Sequence, residues 1–306
     1  MPIYSYPSTS IPSSKTEIKF ETYRYYLECI CNYLISNFDD ISNFISVCYR
    51  LSKNIQGMQI IDGLWLDRFM KIAWNTEYLL NQDTQDVELI RINNQWSPIQ
   101  AYFGVYAGCE ALSYVIDGNK ADGHIAALKK ATNFFINTGI APWDKAYKGS
   151  RGKGGSEQKP INFPSNLEVP HNLQRSNTDA LSMIAKCLKA EHSNRIDDLW
   201  DGKRNKGIFK YKFDPGYTSL LHFLYRLRLK SNYKEVDIFL TKALDSQIIG
   251  FNNSLKTFCS WTLSFIEVIL MRKCKKDFII KLAETYLQIN PKALSLQNRI
   301  ECYKKL

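Results

Sequence analysis

The stretch from Trp96 to Gly118 constrains this chain more than any other. Ser97 and Pro98 mark a helix start, an oxygen able to cap followed by a residue whose missing N–H costs nothing in the first turn, and Gly118 supplies a stop. Between them Ala101, Gly104, Gly108 and Ala111 recur at intervals of 3, 4 and 3, and Tyr102, Val105, Cys109 and Leu112 repeat that spacing on the next stripe. The first stripe lets another backbone come close; the second is apolar and aromatic. A helix apolar over most of its circumference belongs in the middle of a bundle. Most of these residues are expected to be core.

Helical periodicity continues on both sides. Ile18 to Asn37 carries Tyr23, Tyr26, Leu27, Ile30, Tyr33 and Leu34 at helical spacing, and Asp40 is expected to cap a helix running to about Leu51. Leu64 to Leu80 repeats the pattern, and 83–94 is a short polar approach to the central helix. After Gly118 a loop carrying His124 leads into a helix from about Ile125 to Asn137. Ser176 to Glu191 is helical again, with Thr178 the best cap. Thr218 is expected to cap an apolar helix that starts near Leu220, passes through Tyr225–Tyr233 and continues, straight or kinked, to Leu244. Helices at Leu255–Arg272, at Lys275–Ile289 and after Pro291 complete the chain. No alternating β pattern lasts more than a few residues. The expected fold is an all-α helical bundle.

At 306 residues the chain can hold one large domain or two modest ones. The expected organisation is a flexible tail over 1–15, an N-terminal helical extension over 16–62, a helical core over 63–250 with an insertion at 139–215, and C-terminal helices over 251–306 packed on the core. No apolar run is long enough to span a bilayer, and Met1–Ser14 lacks the basic and apolar regions of a signal peptide, so cytoplasmic residence without membrane contact is expected. The eight cysteines are scattered, and Cys29-Ile30-Cys31 has no second pair or His nearby; reduced, buried thiols and no metal or other cofactor are expected.

The formal charge of +10 favours contact with polyanions without proving it. Two segments concentrate the basic residues. Region 139–170 breaks the helical pattern with repeated Gly and Pro and holds Lys148, Arg151 and Lys153. A loop of about thirty residues is functional or disordered, and this one lacks the spacing of a phosphate-binding P-loop. Lys203, Arg204, Lys206, Lys210 and Lys212 follow, interleaved with Phe209, Tyr211 and Phe213. Charge interleaved with aromatics suits single-stranded nucleic acid, and a solvated connector with inward-packed rings has the same pattern.

Two segments together resemble the HEPN domain family: Ile99–Leu112 followed by Gly118-Asn119-Lys120 and His124, and Leu224-Tyr225-Arg226-Leu227-Arg228-Leu229-Lys230-Ser231-Asn232-Tyr233. The resemblance covers about Leu64 to Leu244, interrupted by the insertion. It implies a compact helical bundle, often dimeric, from a family with ribonucleases of toxin–antitoxin and anti-phage systems and with relatives that only bind nucleic acid or partners. In the nuclease version an Arg is followed five to seven positions on by His, with four to six residues between them. Here none of the four His follows an Arg at that distance, and Tyr233 stands at the matching place after Arg228. A tyrosine, with pKa near 10, is a poor base at neutral pH.

The expected function is therefore a nucleic-acid-associated component of a prokaryotic defence or toxin–antitoxin-type system, without nuclease chemistry of its own. Its partners would be an RNA or DNA backbone, a partner protein of that system, or a second copy of the chain. Lys148, Arg151, Lys153, Lys203, Arg204, Lys206, Lys210, Lys212, Arg226 and Asn232 are its candidate nucleic-acid contacts. One alternative is a metal-independent ribonuclease using Arg228 with Tyr233 or His222; Arg228 could equally form a structural ion pair with Asp237 or Glu110. The other alternative is a purely structural helical adaptor.

Overall fold

The computed structural model describes residues 15–55, 63–82, 86–152, 154–170, 179–240 except 205–212, and 243–306; the side chains of 15, 16, 202–204, 233 and 234 lie outside this description. Eleven helices and one small ribbon make up the described chain: α1 (Lys15–Phe38), α2 (Ile41–Leu51), α3 (Gly63–Leu80), α4 (Val87–Asn93), α5 (Ser97–Asp117), α6 (Gly123–Phe135), β1 (Ala146–Lys148), β2 (Lys159–Ile161), α7 (Ala180–Arg204), α8 (Leu220–Leu229), α9 (Asp245–Cys274), α10 (Lys276–Ile289) and α11 (Leu294–Lys304).

The central helix sits where its residues require. α5 packs on α3, α9, α6 and α8. A Cβ placed on Gly104 would meet Cys259 Sγ at 3.4 Å and the Ala73 carbonyl at 3.6 Å, and one on Gly108 would meet Ile266 and Leu263 at 3.0 and 3.1 Å. The two glycines thus admit α3 and α9 to the α5 backbone. Gly118 ends the helix in the left-handed conformation at φ 74°, its N–H donating to the Tyr114 carbonyl. The start differs from expectation. Ser97 is already helical, and its hydroxyl donates back to the Asn93 carbonyl at 3.0 Å instead of capping. A hydroxyl inside the first turn is close to the carbonyl one turn back, and that bond wins.

α9 is the second axis. It begins at Asp245, ten residues before the expected Leu255, and runs unbroken through the expected 250/251 boundary. It is long and apolar enough to cross a membrane by length and composition, but 89% of its apolar window is buried within the fold. One continuous apolar cluster joins α1 to α11, so α1 and α2 share the core with the segments that follow. All eight cysteines are free; Cys274 and Cys302 are half-buried and the other six buried.

Of the three other caps expected from sequence, one is in place and one lies a residue off. Asp40 does cap α2, accepting from the Asn43 N–H at 2.8 Å. Thr178 lies outside the described residues, and Asp179 accepts from the Ser182 N–H at 3.1 Å at the start of α7. Ser219, not Thr218, caps α8 in a capping box with His222. Thr218 instead pairs with Tyr147 through two backbone bonds of 2.8 Å. That pairing is part of what the Gly/Pro-rich region does. Over its described residues it forms the antiparallel ribbon β1–β2, with Tyr147 opposite Pro160, and ties back to the chain before α8 at Thr218 and Phe213. His192 of α7 anchors the ribbon by bonds to Thr218 Oγ1 (2.8 Å) and the Gly149 carbonyl (3.2 Å).

Candidate functional site

α5, α6 and α8 meet so that α8 and the first turn of α6 both reach the Tyr102 end of α5. Tyr102, Tyr106 and Glu110 form a stripe at i, i+4 and i+8 along α5. His124, expected in a loop, occupies the first turn of α6. Its Nδ1 shares a 2.7 Å hydrogen bond with the Tyr102 hydroxyl. Its ring lies 4.3 Å from Tyr106, 5.8 Å from Phe103 and 6.4 Å from Tyr225 between centroids. The Tyr106 hydroxyl donates to Glu110 Oε1, and Glu110 Oε2 accepts from the Ala121 N–H at 3.3 Å. A buried carboxylate with both oxygens bonded fixes the α5–α6 turn and orients Tyr106.

Arg228 completes the cluster. Its guanidinium carbon lies 5.6, 5.4 and 5.9 Å from the rings of Tyr102, Phe103 and Tyr225. Arginine packs on aromatic faces without giving up its planar fork of donors. Tyr102 is buried, whereas Phe103, Tyr106, His124, Tyr225 and Arg228 are half-buried, so the cluster forms a cup with an open side. Two residues beyond Arg228 the helix widens into a π turn (Lys230–Lys234), where the buried Ser231 hydroxyl donates to the Arg228 carbonyl at 3.1 Å. The expected long helix therefore breaks at Leu229. Such widened turns recur at functional sites.

Burial, and then the Arg228 charge, hold the His124 pKa below its ordinary value. Burial pushes the Tyr102 and Tyr106 phenols up, and the Glu110 carboxylate adds to the effect on Tyr106. At neutral pH the cup thus offers a fixed cation, a neutral imidazole and protonated phenols on aromatic walls. It can hold an anionic group at Arg228 beside a stacked planar ring.

The other sequence candidates have different surroundings. His222 is fully buried, its Nδ1 accepts from the Ser219 N–H at 3.3 Å, and burial drives its pKa well below the ordinary value. It builds the α8 cap and is closed to a substrate. Arg226 is buried between Glu191 (3.0 Å) and Asp198 (2.8 Å), joining α8 to α7. Its charge is spent inside the fold, which takes it out of the nucleic-acid set. Glu110, a suggested partner of Arg228, is engaged by Tyr106 and Ala121. Lys148 and Arg151 are exposed on the ribbon. Lys148 lies 4.7 Å over Tyr217, and Arg151 lies 5.2 Å over Trp200 and 3.2 Å from Asp197. Asn232 is half-buried in the π turn. Lys153, Lys206, Lys210 and Lys212, and the side chains of Lys203, Arg204 and Tyr233, lie outside the described residues.

A second polar cluster is fully enclosed. Arg299 donates through all five N–H groups: Nε and one terminal nitrogen to Glu267 (2.9 Å each), two bonds to Glu77 (2.6 and 2.8 Å), and one to Ser260 (3.2 Å). Trp74 and Tyr303 also donate to Glu267. No group of three or more potential metal ligands occurs among the described residues.

The cup was only partly legible in sequence. Arg228 and the α5 helix were both marked, with Glu110 offered as an ion-pair partner of Arg228, but Tyr106 and Tyr225 were given no role of their own and His124 was placed in a loop. The signal was the i, i+4, i+8 run of hydroxyl, hydroxyl and carboxylate on an otherwise apolar helix. Comparison with family models, curated proteins and solved structures finds no match to this chain.

Proposed function

We propose that this chain is a HEPN-like, nucleic-acid-associated component of a prokaryotic defence or toxin–antitoxin-type system, acting in the cytoplasm and binding single-stranded nucleic acid through the Arg228 cup. One observation carries the reading: Arg228 lies against Tyr102 and Phe103, so the two segments that bear the resemblance are neighbours in space. A phosphate would take the guanidinium fork, and a base would stack on the half-buried rings, an interaction that tolerates any sequence. The exposed Lys148 and Arg151 would add backbone contacts. Absence of nuclease chemistry fits Tyr233 standing where the family motif has His.

A second reading has its own support. His124 is drawn toward Arg228 by the fold, within the same ring of aromatics, and supplies a neutral imidazole from another part of the chain. A ribonuclease would then use Arg228 with His124, in place of Tyr233 or His222. Incubation of the full chain with end-labelled single-stranded RNA separates the two. Binding that weakens with salt, with the RNA intact, supports the first reading. Cleavage that disappears in both His124→Ala and Arg228→Ala supports the second. No binding at low salt and no cleavage removes both and leaves a structural adaptor.

A further inference from the structure

The two ring nitrogens of His124 have unlike surroundings. Nδ1 lies 2.7 Å from the Tyr102 hydroxyl. Nε2 makes no hydrogen bond among the described residues and is not buried, so it is open to solvent. A neutral imidazole carries one proton, and the bond made by one nitrogen decides which of the two has it. Burial and the Arg228 charge keep this imidazole neutral at about pH 7, although Glu110 pulls the other way.

Two arrangements fit the contact. In one the Tyr102 O–H donates to a bare Nδ1, and the ring proton is on Nε2. In the other Nδ1–H donates to the Tyr102 oxygen, and the phenol proton needs a different acceptor. Tyr102 is 1% exposed and makes no other hydrogen bond among the described residues. Glu110, the carboxylate of the same stripe, already accepts from the Tyr106 hydroxyl and the Ala121 N–H. The second arrangement therefore buries an O–H with no acceptor, which folded proteins avoid. The first satisfies both groups.

We infer that Tyr102 is a positioning residue: it fixes His124 as the Nε2–H tautomer, and His124 then gives the cup a second hydrogen-bond donor for the phosphate held at Arg228. The donor role rests on the reading of the cup as a nucleic-acid site. The same three rings border both side chains. Tyr102, Phe103 and Tyr225 lie 5.6, 5.8 and 6.4 Å from the His124 ring and 5.6, 5.4 and 5.9 Å from the Arg228 guanidinium carbon. A bond from Nε2–H to a phosphate oxygen is charge-assisted. In this tautomer no bare ring nitrogen faces the ligand, so His124 does not take a proton from a ribose hydroxyl. The inference thus favours binding over cleavage.

The first test is heteronuclear NMR of the histidine ring nitrogens, on the full chain without RNA at about pH 8, above the ordinary histidine pKa. Signals lost in His124→Gln assign the residue. Nδ1 is expected to be bare and Nε2 protonated, and in Tyr102→Phe the Nδ1 signal is expected to move toward that of an unbonded nitrogen. A protonated Nδ1, or an Nδ1 signal unmoved in Tyr102→Phe, overturns the inference. The second test is affinity for a labelled single-stranded RNA, with the Tm of each variant as the check on folding. His124→Phe keeps a ring and loses the donor, and is expected to bind about tenfold more weakly. His124→Gln, whose amide keeps an N–H near the place of Nε2, is expected to stay within about threefold of wild type. Equal binding by wild type and His124→Phe overturns the donor role, as does RNA cleavage that His124→Gln abolishes. If wild type binds no RNA, the reading of the cup fails and the donor role with it, while the histidine spectrum still decides the tautomer.

Discussion

Arg228 and Arg299 are two arginines set in opposite circumstances. Arg299 is wholly enclosed and gives every N–H to Glu77, Glu267 and Ser260. Arg228 is half-exposed and rests on three ring faces. The difference separates a charge that organises a core from one that is proposed to face a ligand. Removing a buried, fully bonded guanidinium strands two carboxylates without water, whereas removing one that lies on aromatic rings forfeits a weaker cation–π attraction.

The sharpest way to break the comparison is to exchange the costs. Arg299→Leu is expected to destabilise by about 3–5 kcal/mol, the price of leaving buried charge unpaired. That is a large part of the 5–15 kcal/mol typical of a folded domain. Urea unfolding followed by circular dichroism measures it, and a loss under about 1 kcal/mol would mean the cluster is not the structural anchor described. Arg228→Ala is expected to cost only about 1 kcal/mol.

A smaller effect concerns the helix that carries the cup. Gly104→Ala meets ordinary van der Waals contact, so the helix-forming advantage of alanine, up to about 1 kcal/mol, should leave it neutral or more stable. Gly108→Ala meets Ile266 and Leu263 at 3.0 and 3.1 Å, and overpacking should cancel or exceed the same gain. The two midpoints, measured together, should fall in that order.

The smallest effect is in pH. The buried His222 takes up its proton far less readily than in the unfolded chain, where the pKa is near 6.5. Its contribution is complete above pH 6.5 and is lost as pH falls below it, by at most about 1.4 kcal/mol per pH unit. Glu191 has the opposite sign: burial pushes its carboxyl up to about 7, so its protonation adds stability as pH falls from there. The difference between wild type and His222→Gln cancels Glu191 and should isolate the histidine. Glutamine keeps the capping box with Ser219. A difference that is flat between pH 7 and 5 would remove His222 from the acid limb.

The sequence showed the helices well and the polar clusters poorly, for physical reasons. A helix face is written in residues three and four apart, so α5, α3 and the Asp40 cap could be read locally. The helix expected from Leu255 starts ten residues earlier, and the polar run Asn252, Asn253 and Ser254 lies inside it. In the structure Asn252 is buried and donates to the Ile248 carbonyl, continuing the helix. The ribbon at 146–161 has only three residues per strand, too few for an alternating pattern. Arg299, Glu77 and Glu267 are separated by up to 222 positions, and only the packing of three helices brings them together. His124 and Arg228 met in the same way: each was visible, and their adjacency was not.

The most direct test of the distinction is one pair of measurements on Arg228→Ala and wild type, the affinity for a labelled single-stranded RNA across a salt series and the thermal midpoint of the same samples. The account predicts that the variant binds about tenfold or more weakly, with a Tm within a few degrees of wild type. Unchanged binding, or a collapse of Tm like that expected for Arg299→Leu, would contradict it and make Arg228 a second structural arginine.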